Sequence, residues 1–475
     1  MKDNISMYLP KIIKTISKTL TSHNAQAIVV GGSVRDHFLN LPIKDYDIEV
    51  YGLDTLEELE RVLEPYGSVN LVGKSFGVLK FSYDGEEYDF SFPRLERKVG
   101  EGHRGFVVAC DGQMSFAEAS LRRDFTINAM GYVVESGEFL DPFKGKRDMQ
   151  DNILRHIDNS SFVEDPLRVY RAVQFCARFR YQLADETLLL CKEMVDDGML
   201  DELPQERVYT EWVKLLLKSP QPSVGFELMR ELGVLRYFPE LEALIAVPQS
   251  PKWHPEGDVW VHTMMCIDAM VGLKSGDDRL DLKLMFAVLC HDLGKATTTT
   301  IDDEGNIRSI GHEYEGVAPT ESLMYRLTNE HDFIASLLPL VKYHLAPSQF
   351  YAGKSRDRAV RRLSTKVTIS ELVVVAKADF LGRTTPESLT GVYRAGEWLL
   401  EKAKNLKVQH KPLEPLLQGR DLIVLGLQPS AKFKEILSSV YSLQIDGKVE
   451  SKEDALEYVK KQFMSNREIK ELKDE

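Results

Sequence analysis

Residues 28–50 read IVVGGSVRDHFLNLPIKDYDIEV, and this stretch decides the fold of the N-terminal part of the chain. The apolar residues at its start predict a strand, the Gly31-Gly32 pair predicts a turn, and the residues up to Asn40 predict a helix. A second strand is predicted over 46–51. Glycines let a backbone approach a phosphate closely, and the N–H groups at a helix start favour anions. The turn therefore either binds a nucleotide phosphate or only packs a strand against a helix.

Two carboxylates, those of Asp45 and Asp47, mark the start of the second strand. Side chains two residues apart in a strand point to the same face, so this pair can share divalent metal ions. Paired Mg²⁺ ions about 3.5–4 Å apart activate the attacking hydroxyl and stabilise the leaving pyrophosphate in nucleotidyl transfer. An isolated Asp-x-Asp is more often a solvated loop, but the glycine turn beside it favours the catalytic interpretation. Asp89, in a strand predicted over 88–92, is the candidate third carboxylate, with an acidic residue on an edge strand as the alternative.

The composition is that of a globular, multidomain protein. Of 475 residues, 43% are hydrophobic and 28% are charged, which excludes a wholly disordered chain. No apolar run reaches the roughly 18 residues of a membrane helix, so no membrane partner is expected. The five cysteines form no Cys-x-x-Cys pair, which suits a reducing compartment and predicts a cytoplasmic protein. The net charge of −13 does not exclude nucleic acid, because basic residues cluster at 354–366.

The mixture of strand and helix patterns ends near residue 147, and almost only helical periodicity follows. The fold class is therefore predicted as α+β, with an α/β head followed by all-helical regions. The proline-rich residues 247–257 mark the boundary between two helical parts. We expect a head, a helical neck and body, a second helical domain and a C-terminal helical tail, at 1–147, 148–247, 248–395 and 396–475.

Two more motifs lie downstream of the glycine turn: LRRDFTINAM at 121–130 and DPFKGKRD at 141–148. With the Gly-Gly-x-x-Arg-Asp and Asp-x-Asp patterns, they resemble the class II tRNA nucleotidyltransferases, the CCA-adding enzymes and poly(A) polymerases of the polymerase β-like superfamily. Asn40 stands where this family usually has glycine, and asparagine also tolerates a left-handed backbone. The resemblance implies a polymerase β-like nucleotidyltransferase head in which Arg123 and Asp124 select a ribonucleotide. The nucleotide-binding residues that the resemblance implies in the head are Gly32, Arg35, Arg123, Asp124 and Asn128. It also implies that Asp45 and Asp47 are catalytic residues that bind Mg²⁺, and that Asp89 is a further catalytic residue.

Residues 164–168 read EDPLR and have two alternative roles. Asp165 and the proline after it suit the start of a helix, which is a structural role. Alternatively, Asp165 and Arg168 lie one helical turn apart and can read a base together. Cytosine and adenine offer an amino donor beside a ring-nitrogen acceptor, whereas uracil and guanine offer a carbonyl beside an N–H, so such a pair selects C and A. By resemblance this is the family's nucleotide-selecting motif, with Arg171 as a nucleotide contact and Arg178 as an RNA contact.

Histidine and aspartate residues in the helical part indicate a second centre. His262, the adjacent pair His291-Asp292, and Asp379 resemble the HD phosphohydrolase signature. Single histidines in helices are usually core or surface residues, but the adjacent pair favours a metal site. Two imidazoles and two carboxylates suit Mn²⁺ or Ni²⁺ better than the all-oxygen cage of Mg²⁺, and a metal-bound water would attack a phosphoester. Further candidates, as second-site ligands or phosphate donors, are His312 and His344.

Together, the motifs predict an enzyme that adds C, C and A to the 3′ end of its partner tRNA from CTP and ATP. The resemblance to HD phosphohydrolases implies, in addition, 2′,3′-cyclic phosphodiesterase, 2′-nucleotidase and phosphatase activities. A poly(A) polymerase of the same fold is the nearest alternative, and an RNA-binding scaffold without catalysis is a third. Residues 94–106 resemble the flexible loop that permits the switch to A, which argues against an enzyme that adds only C.

Overall fold

The computed structural model describes residues 7–43, 45–71, 78–98, 106–110 and 113–464. The chain divides into two compact units, Met1–Tyr237 and Phe238–Glu475. The finer division into four domains stays a prediction. Residues 99–105 of the predicted flexible loop lie outside the described residues.

The first unit contains one large mixed sheet and short two-stranded ribbons. Its strands are β1 (Gln26–Val30), β2 (Tyr46–Tyr51), β3 (Ser68–Leu71), β4 (Val78–Tyr83), β5 (Glu86–Ser91), β6 (Arg94–Lys98), β7 (Phe106–Cys110), β8 (Gly131–Val133), β9 (Phe139–Leu140), β10 (Ile153–Leu154) and β11 (Gln182–Leu183). The sheet has the order β3-β4-β5-β2-β1-β8-β9, whereas β6 pairs with β7 and β10 pairs with β11. Because β2 pairs antiparallel with β1 and parallel with β5, it lies inside the sheet.

The helices of the first unit follow the predicted 3.6-residue periodicity. They are α1 (Lys11–Ser22), α2 (Gly32–Phe38), α3 (Leu56–Leu63), α4 (Phe116–Ser120), α5 (Gly145–Gln150), α6 (Asn159–Val163), α7 (Leu167–Phe179), α8 (Asp185–Asp196), α9 (Gln205–Lys218) and α10 (Pro222–Glu231). In α1, Ile12, Ile13 and Ile16 recur on one face and are buried, so α1 is an amphipathic helix. Their burial holds α1 in the core of the unit.

Strand register explains how the sheet positions the first candidate site. In β1, residues 27–30 are all buried, as expected for a central strand covered on both faces. Val30, the last residue of β1, pairs with Asp47 of β2. The glycine turn that follows Val30 is therefore held next to the Asp-x-Asp motif.

The second unit is mainly helical, as predicted. Its elements are α11 (Pro239–Glu242), α12 (Val259–Val271), α13 (Asp278–Cys290), α14 (Lys295–Thr298), β12 (Thr299–Ile301), β13 (Ile307–Ser309), α15 (His312–Glu315), α16 (Val317–Leu327), α17 (His331–Tyr343), α18 (Ala346–Ala352), α19 (Asp357–Ser364), α20 (Ile369–Leu381), α21 (Arg394–Asn405), α22 (Gly419–Val424), α23 (Lys432–Ile445) and α24 (Lys452–Phe463). The β12–β13 ribbon departs from the all-helical expectation, because Gly305 (φ 81°) permits a tight turn between the two strands.

Helices α12, α13 and α20 are apolar around most of their circumference, so they are buried in the second unit. Farther along the chain, α22, α23 and α24 bury a hydrophobic cluster that includes Leu422, Ile436 and Val459. The predicted C-terminal tail thus has a small core of its own.

No helix among the described residues is long and apolar enough to cross a membrane. The four cysteines whose side chains are described, Cys176, Cys191, Cys266 and Cys290, are free and buried. The side chain of Cys110 lies outside the described part of the chain.

Candidate active sites

The glycine turn lies beside Asp47, one of the three candidate carboxylates. Gly31 has φ 72°, and a Cβ added there would lie 3.7 Å from Oδ2 of Asp47 and 2.9 Å from Nη1 of Arg123. Asp47 pairs with Asp89 across the parallel strands β2 and β5. Because β5 lies between β4 and β2, Asp89 is not on an edge strand, and that alternative is wrong. Glycine is therefore needed at 31 both for its backbone angle and for its small size.

Asp45 is tied to the same turn through its backbone. Ser33 Oγ donates to the carbonyl oxygen of Asp45 at 3.0 Å, which connects α2 to the start of β2. Asn40, just after α2, has φ 54° and so adopts the left-handed backbone expected where the family has glycine. Asp45 and Asp47 are both exposed, so a nucleotide can reach them.

Loss of water and mutual repulsion both oppose ionisation in this group of carboxylates. Although Asp47 is exposed, partial loss of water raises its pKa, Arg123 opposes that shift, and Asp89 and Asp45 add to it. Desolvation also raises the pKa of Asp89, against the effect of Lys80. A divalent cation would relieve such repulsion. Among the described residues, however, the groups already close enough to hold a metal lie in the second unit, so Mg²⁺ on Asp45 and Asp47 stays a prediction.

A buried chain of hydrogen bonds joins α2 to α7. Arg35 is 6% exposed and donates to Asp36 and, at 2.7 Å, to Oδ1 of Asn128. Asn128 donates to Asp124 at 2.9 Å, and Asp124 accepts from Nε of Arg171 at 2.7 Å. Burial opposes ionisation of Asp124, but Arg171 and the other donors keep its pKa below the usual value. Four predicted nucleotide-binding residues thus form one network, although their contact with a nucleotide stays a prediction.

The predicted base-reading pair already has protein partners. Oδ2 of Asp165 accepts from Nη2 of Arg207 at 2.8 Å, and Oδ1 accepts at 3.3 Å from the backbone N–H two residues later. Arg168 donates to the carbonyl oxygens of Ser161, at 2.6 Å, and Arg122. The capping role of Asp165 is therefore present, and base reading, which would add to or replace these bonds, stays a prediction.

Arg178, the predicted RNA contact, lies near the end of α7. Its guanidinium lies 4.9 Å from the ring centroid of Phe179. Burial and the nearby Arg35 lower the pKa of Arg178. A Cβ added at Gly32 would lie 3.4 Å from Arg35, so the start of α2 and these guanidinium groups adjoin one another. Such a concentration of positive charge favours a phosphate.

Four histidines of the second unit present the same ring nitrogen to one cluster. Nδ1 of His291, of His312 and of His344 each lies 2.7 Å from the backbone carbonyl three residues earlier. Nδ1 of His262 lies 2.8 Å from a carboxylate oxygen of Glu256. These acceptors place the proton on Nδ1, which leaves Nε2 with the lone pair that binds a metal.

Two carboxylates lie between these imidazoles. Nε2 of His262 is 3.1 Å from Oδ1 of Asp379, and Nε2 of His291 is 3.2 Å from Oδ2 of Asp292. The other oxygen of Asp292, Oδ1, is 3.2 Å from Nε2 of His312. The structure thus brings together all four residues of the predicted metal centre, and Asp292 faces an imidazole with each of its oxygens.

Two cations compensate the buried carboxylates. Nζ of Lys295 lies 2.6 Å from Asp292, and Nη2 of Arg383 lies 2.7 Å from Asp379. Burial opposes ionisation of both carboxyls, but the histidines and these cations keep the two pKa values well below the usual range. Burial and a neighbouring histidine lower the pKa of His344 to about 3, so this ring is neutral at pH 7.

The donor set of this histidine–aspartate centre fits a transition metal. Nε2 of His291 and both oxygens of Asp292 are buried without a hydrogen-bond partner of good geometry. Among the described residues, three sets of donor atoms each lie within 4.8 Å of one another: those of His262, Cys266, His291 and Asp379, those of Asp292, His312 and His344, and those of His254, Glu256 and His262. Burial opposes a charge on His262, but Cys266 and the acceptors around it raise its pKa to about 10, so a metal would displace a proton there.

Two family models match the chain: the Poly A polymerase head domain at residues 27–155, and the probable RNA and SrmB-binding site of polymerase A at residues 180–245. A multifunctional CCA protein of Xanthomonas campestris pv. campestris (strain B100) is 40% identical over 370 residues, which cover 76% of this chain and 86% of that protein. One of Laribacter hongkongensis (strain HLHK9) is 42% identical over 364 residues, covering 75% and 84%. The chain belongs to the family of multifunctional CCA proteins.

Solved structures of CCA-adding enzymes have the same fold as this CCA-family chain. That of Bacillus stearothermophilus in complex with CTP is 20% identical with a TM-score of 0.65, covering 96% of this chain and 99% of that one. The Thermotoga maritima enzyme complexed with tRNA is 22% identical with a TM-score of 0.59, covering 96% of each chain. The predicted α+β fold class and the predicted family are both confirmed.

Three acidic or basic side chains that the sequence interpretation missed complete the two centres. Glu49 is 1% exposed and accepts from Arg122 and Arg123, each at 2.8 Å. Glu256 orients one histidine of the metal centre, and Arg383 neutralises one carboxylate. Glu49 continues the every-second-residue spacing of the two aspartates before it, which is a readable signal. The other two have no such signal, because only tertiary packing brings them to the centre.

The buried Glu49 predicts a pH-dependent stability difference. Burial opposes its ionisation, but Arg123 and Arg122 lower its pKa below the usual value. Glu49→Gln removes the negative charge that compensates two partly buried arginines and replaces one acceptor oxygen with an amide NH₂ donor, so we expect a loss of about 3 kcal/mol at pH 7. A lowered folded-state pKa gives stability that is present above the unfolded-state pKa and is lost as the pH falls through the folded-state pKa. In denaturant unfolding, the free energy of unfolding should therefore be lower for the variant than for wild type at pH 7, and this difference should become smaller in acid.

Glu87→Gln is the matched control for this measurement. Glu87 pairs with Lys80 at 3.3 Å, but their side chains are 64% and 40% exposed. An exposed pair contributes about 0–1 kcal/mol, so this variant should stay close to wild type at every pH. If Glu49→Gln and wild type had the same free energy of unfolding, or if their difference were equally large at pH 7 and in acid, the buried charge of Glu49 would not be what stabilises the unit.

Proposed function

We propose that this CCA-family chain adds C, C and A to the 3′ end of tRNA from CTP and ATP in its first unit, and that it hydrolyses phosphoesters in its second unit. Nucleotide addition is supported above all by the pairing of Asp47 with Asp89 beside the glycine turn, in a chain of this family. Hydrolysis is supported by the convergence of imidazole Nε2 atoms on the buried Asp292 and Asp379.

For nucleotide addition, the 3′ hydroxyl of tRNA attacks the α-phosphate of CTP or ATP, and pyrophosphate leaves. Bound Mg²⁺ supplies charge that activates the hydroxyl and stabilises the leaving group. Asp45 and Asp47, both exposed at the start of β2, would hold it with help from Asp89. Arg123 is held by Glu49 at 2.8 Å, and its other terminal nitrogen adjoins Gly31, so it is oriented to meet a phosphate at the turn.

For base selection, the protein would act in place of a nucleic-acid template. Asp165 and Arg168 lie at the start of α7, whose Arg171 holds Asp124 in the network described above. A carboxylate that accepts from an amino group and a guanidinium that donates to a ring nitrogen suit cytosine and adenine. The pair would then reject uracil and guanine, whose donors and acceptors are reversed.

For hydrolysis, a 2′,3′-cyclic phosphodiester is the expected substrate. The oxygen of a water molecule attacks phosphorus, one of the two ribose P–O bonds breaks, and the released ribose oxygen takes a proton. A metal such as Mn²⁺ or Ni²⁺ in the histidine–aspartate centre would lower the pKa of that water. Lys295 and Arg383 line the same cavity, so they can meet the non-bridging phosphate oxygens.

Asp47→Ala tests the transferase centre. The change removes a carboxylate from the β2–β5 pair, so incorporation of both CTP and ATP into tRNA should fall about a hundredfold or more, while hydrolysis of a cyclic phosphodiester persists. Asp54→Ala, at an exposed position in the same unit, is the control and should retain both activities. If Asp47→Ala still incorporated CTP and ATP, Asp47 would not belong to the transferase centre. If the folded variant also lost hydrolysis, the two centres would not be independent.

Asp165→Ala and Arg168→Ala test base selection. Each removes half of the proposed hydrogen-bond pattern, at about 1–3 kcal/mol, so preference for CTP and ATP over UTP and GTP should decrease roughly ten- to hundredfold. Asp158→Ala is the control, because Asp158 caps the neighbouring helix α6 through the Ser161 N–H at 2.8 Å. That variant should lose stability and keep its nucleotide preference. An unchanged preference in the first two variants would leave only the capping role.

Asp292→Ala tests the histidine–aspartate centre. The change removes the carboxylate that faces two imidazoles, so equilibrium dialysis should show weaker Mn²⁺ binding and metal-dependent hydrolysis should be lost. Nucleotide addition should survive. Asp303→Ala, at an exposed position of the same unit, should match wild type in all three measurements. Undiminished Mn²⁺ binding and hydrolysis in Asp292→Ala would mean that the metal lies elsewhere.

A further inference from the structure

We propose that the indole of Trp253 is a stacking surface for a nucleobase, so that the histidine–aspartate centre selects ribonucleoside 2′,3′-cyclic phosphates over phosphodiesters without a base. This inference rests on the hydrolase proposed above and names its substrate class. It adds a specificity-determining residue that lies outside the metal-binding set.

The position of Trp253 is the first observation. A cavity of about 240 Å³ opens at the centre, and Trp253 lines it together with Asp292, His312, Asp379 and Arg383. Trp253 is nevertheless 56% exposed to solvent. One side chain thus connects the metal-binding groups with the solvent at the mouth of the cavity.

The size of the cavity sets what can enter it. Pockets that enclose a drug-sized ligand have volumes of about 300–1,000 Å³, so 240 Å³ is too small for a whole nucleotide. It suits a phosphate and part of a ribose, which the cations Lys295 and Arg383 would neutralise. The base of such a substrate would remain at the mouth, where Trp253 offers a flat apolar face.

The turn that carries Trp253 is tied to the centre by hydrogen bonds. The N–H groups of Trp253 and His254 donate to the carbonyl oxygen of Ser250 at 3.0 and 2.9 Å. Nδ1 of His254 lies 2.9 Å from the same Glu256 oxygen that Nδ1 of His262 approaches at 2.8 Å. The imidazoles of His254 and His262 contact each other, with centroids 4.5 Å apart. The turn that carries the indole is therefore held beside a predicted metal ligand, which lowers the entropy cost of stacking.

The chemistry of the indole and its neighbour favours a base over other occupants. Every nucleobase has a π face, and stacking on an aromatic side chain is largely independent of sequence. The ammonium of Lys252 lies 4.9 Å from the centroid of the Trp253 ring, and it adds a positive charge at the mouth for a phosphate of the same substrate. An apolar face between a cation and a phosphate-binding cavity matches a nucleotide better than an uncharged apolar ligand.

The experiment compares two cyclic phosphates that differ in the base. Adenosine 2′,3′-cyclic phosphate and glycerol 1,2-cyclic phosphate contain the same five-membered ring at phosphorus, but only the first can stack. In the full-length protein with Mn²⁺, Trp253→Ala should raise KM for the adenosine substrate roughly ten- to hundredfold, with kcat changed little. KM for the glycerol substrate should be unchanged, and Trp253→Phe should restore most of the loss.

Tyr351→Ala is the control, because Tyr351 is 43% exposed in the same unit but does not line the cavity. It should behave as wild type with both substrates. An oligoribonucleotide ending in a 2′,3′-cyclic phosphate distinguishes a free nucleotide from an RNA end as the source of the base. A rise in KM with either nucleotide substrate supports stacking, and equal KM changes for the nucleotide and glycerol substrates overturn it.

A binding measurement separates this inference from the proposed hydrolase. If wild type hydrolyses neither cyclic phosphate, the hydrolase proposal fails, but the affinity for adenosine 2′-monophosphate with Mn²⁺ still tests the indole. In calorimetry, the affinity of Trp253→Ala should be about tenfold lower than that of wild type, or lower still. The affinity of Trp253→Phe should be close to that of wild type. Equal affinity in wild type and Trp253→Ala would overturn the inference whatever the activity.

Discussion

Carboxylates repel one another when packing brings them together, and both centres of this protein depend on how that repulsion is compensated. In the second unit, Asp292 and Asp379 are buried and ionised because Lys295 and Arg383 lie within 2.7 Å of them and four imidazoles surround them. In the first unit, Asp45 and Asp47 are exposed; partial loss of water raises the pKa of Asp47, Arg123 opposes that shift, and Asp89 and Asp45 add to it. The buried centre is therefore preorganised by fixed cations, whereas Mg²⁺ at the exposed Asp45 and Asp47 stays a prediction.

The difference also explains why the donor atoms of the second unit already converge. Each of three histidines donates Nδ1–H to a backbone carbonyl, and a carboxylate accepts from the fourth, so the Nε2 atoms cannot turn away. In the first unit the corresponding constraint acts on the arginines, because the buried Glu49 holds both Arg122 and Arg123. The protein thus fixes the groups that would contact phosphate and leaves Asp45 and Asp47 open to solvent.

Local sequence signals predicted the strands and helices well, because the apolar periodicity of α1 and the apolar run of β1 are local properties. The left-handed backbone at Asn40 could also be predicted from the sequence, because few residue types tolerate that conformation. A shared face for Asp45 and Asp47 was predicted from strand geometry, but β2 begins at Tyr46, so only Asp47 lies within the strand. By contrast, the pairing of Asp89 with Asp47 depends on the order of strands in the sheet. The sequence alone could not exclude the alternative that Asp89 lies on an edge strand. Side-chain partners far apart in the chain, such as Arg383 for Asp379, follow only from how α12, α13 and α20 pack.

CCA addition differs from poly(A) synthesis because it places a short, defined sequence at the 3′ end of tRNA. The most direct test is a gel assay in which tRNA lacking its terminal CCA is incubated with Mg²⁺ and each labelled nucleotide, alone and in combination. We expect addition of two C residues from CTP, then a single A that requires prior C addition, and no incorporation of U or G. A long tail of A from ATP alone would identify a poly(A) polymerase instead, and no incorporation at all would contradict the assignment of Asp45, Asp47 and Asp89 as a working transferase centre.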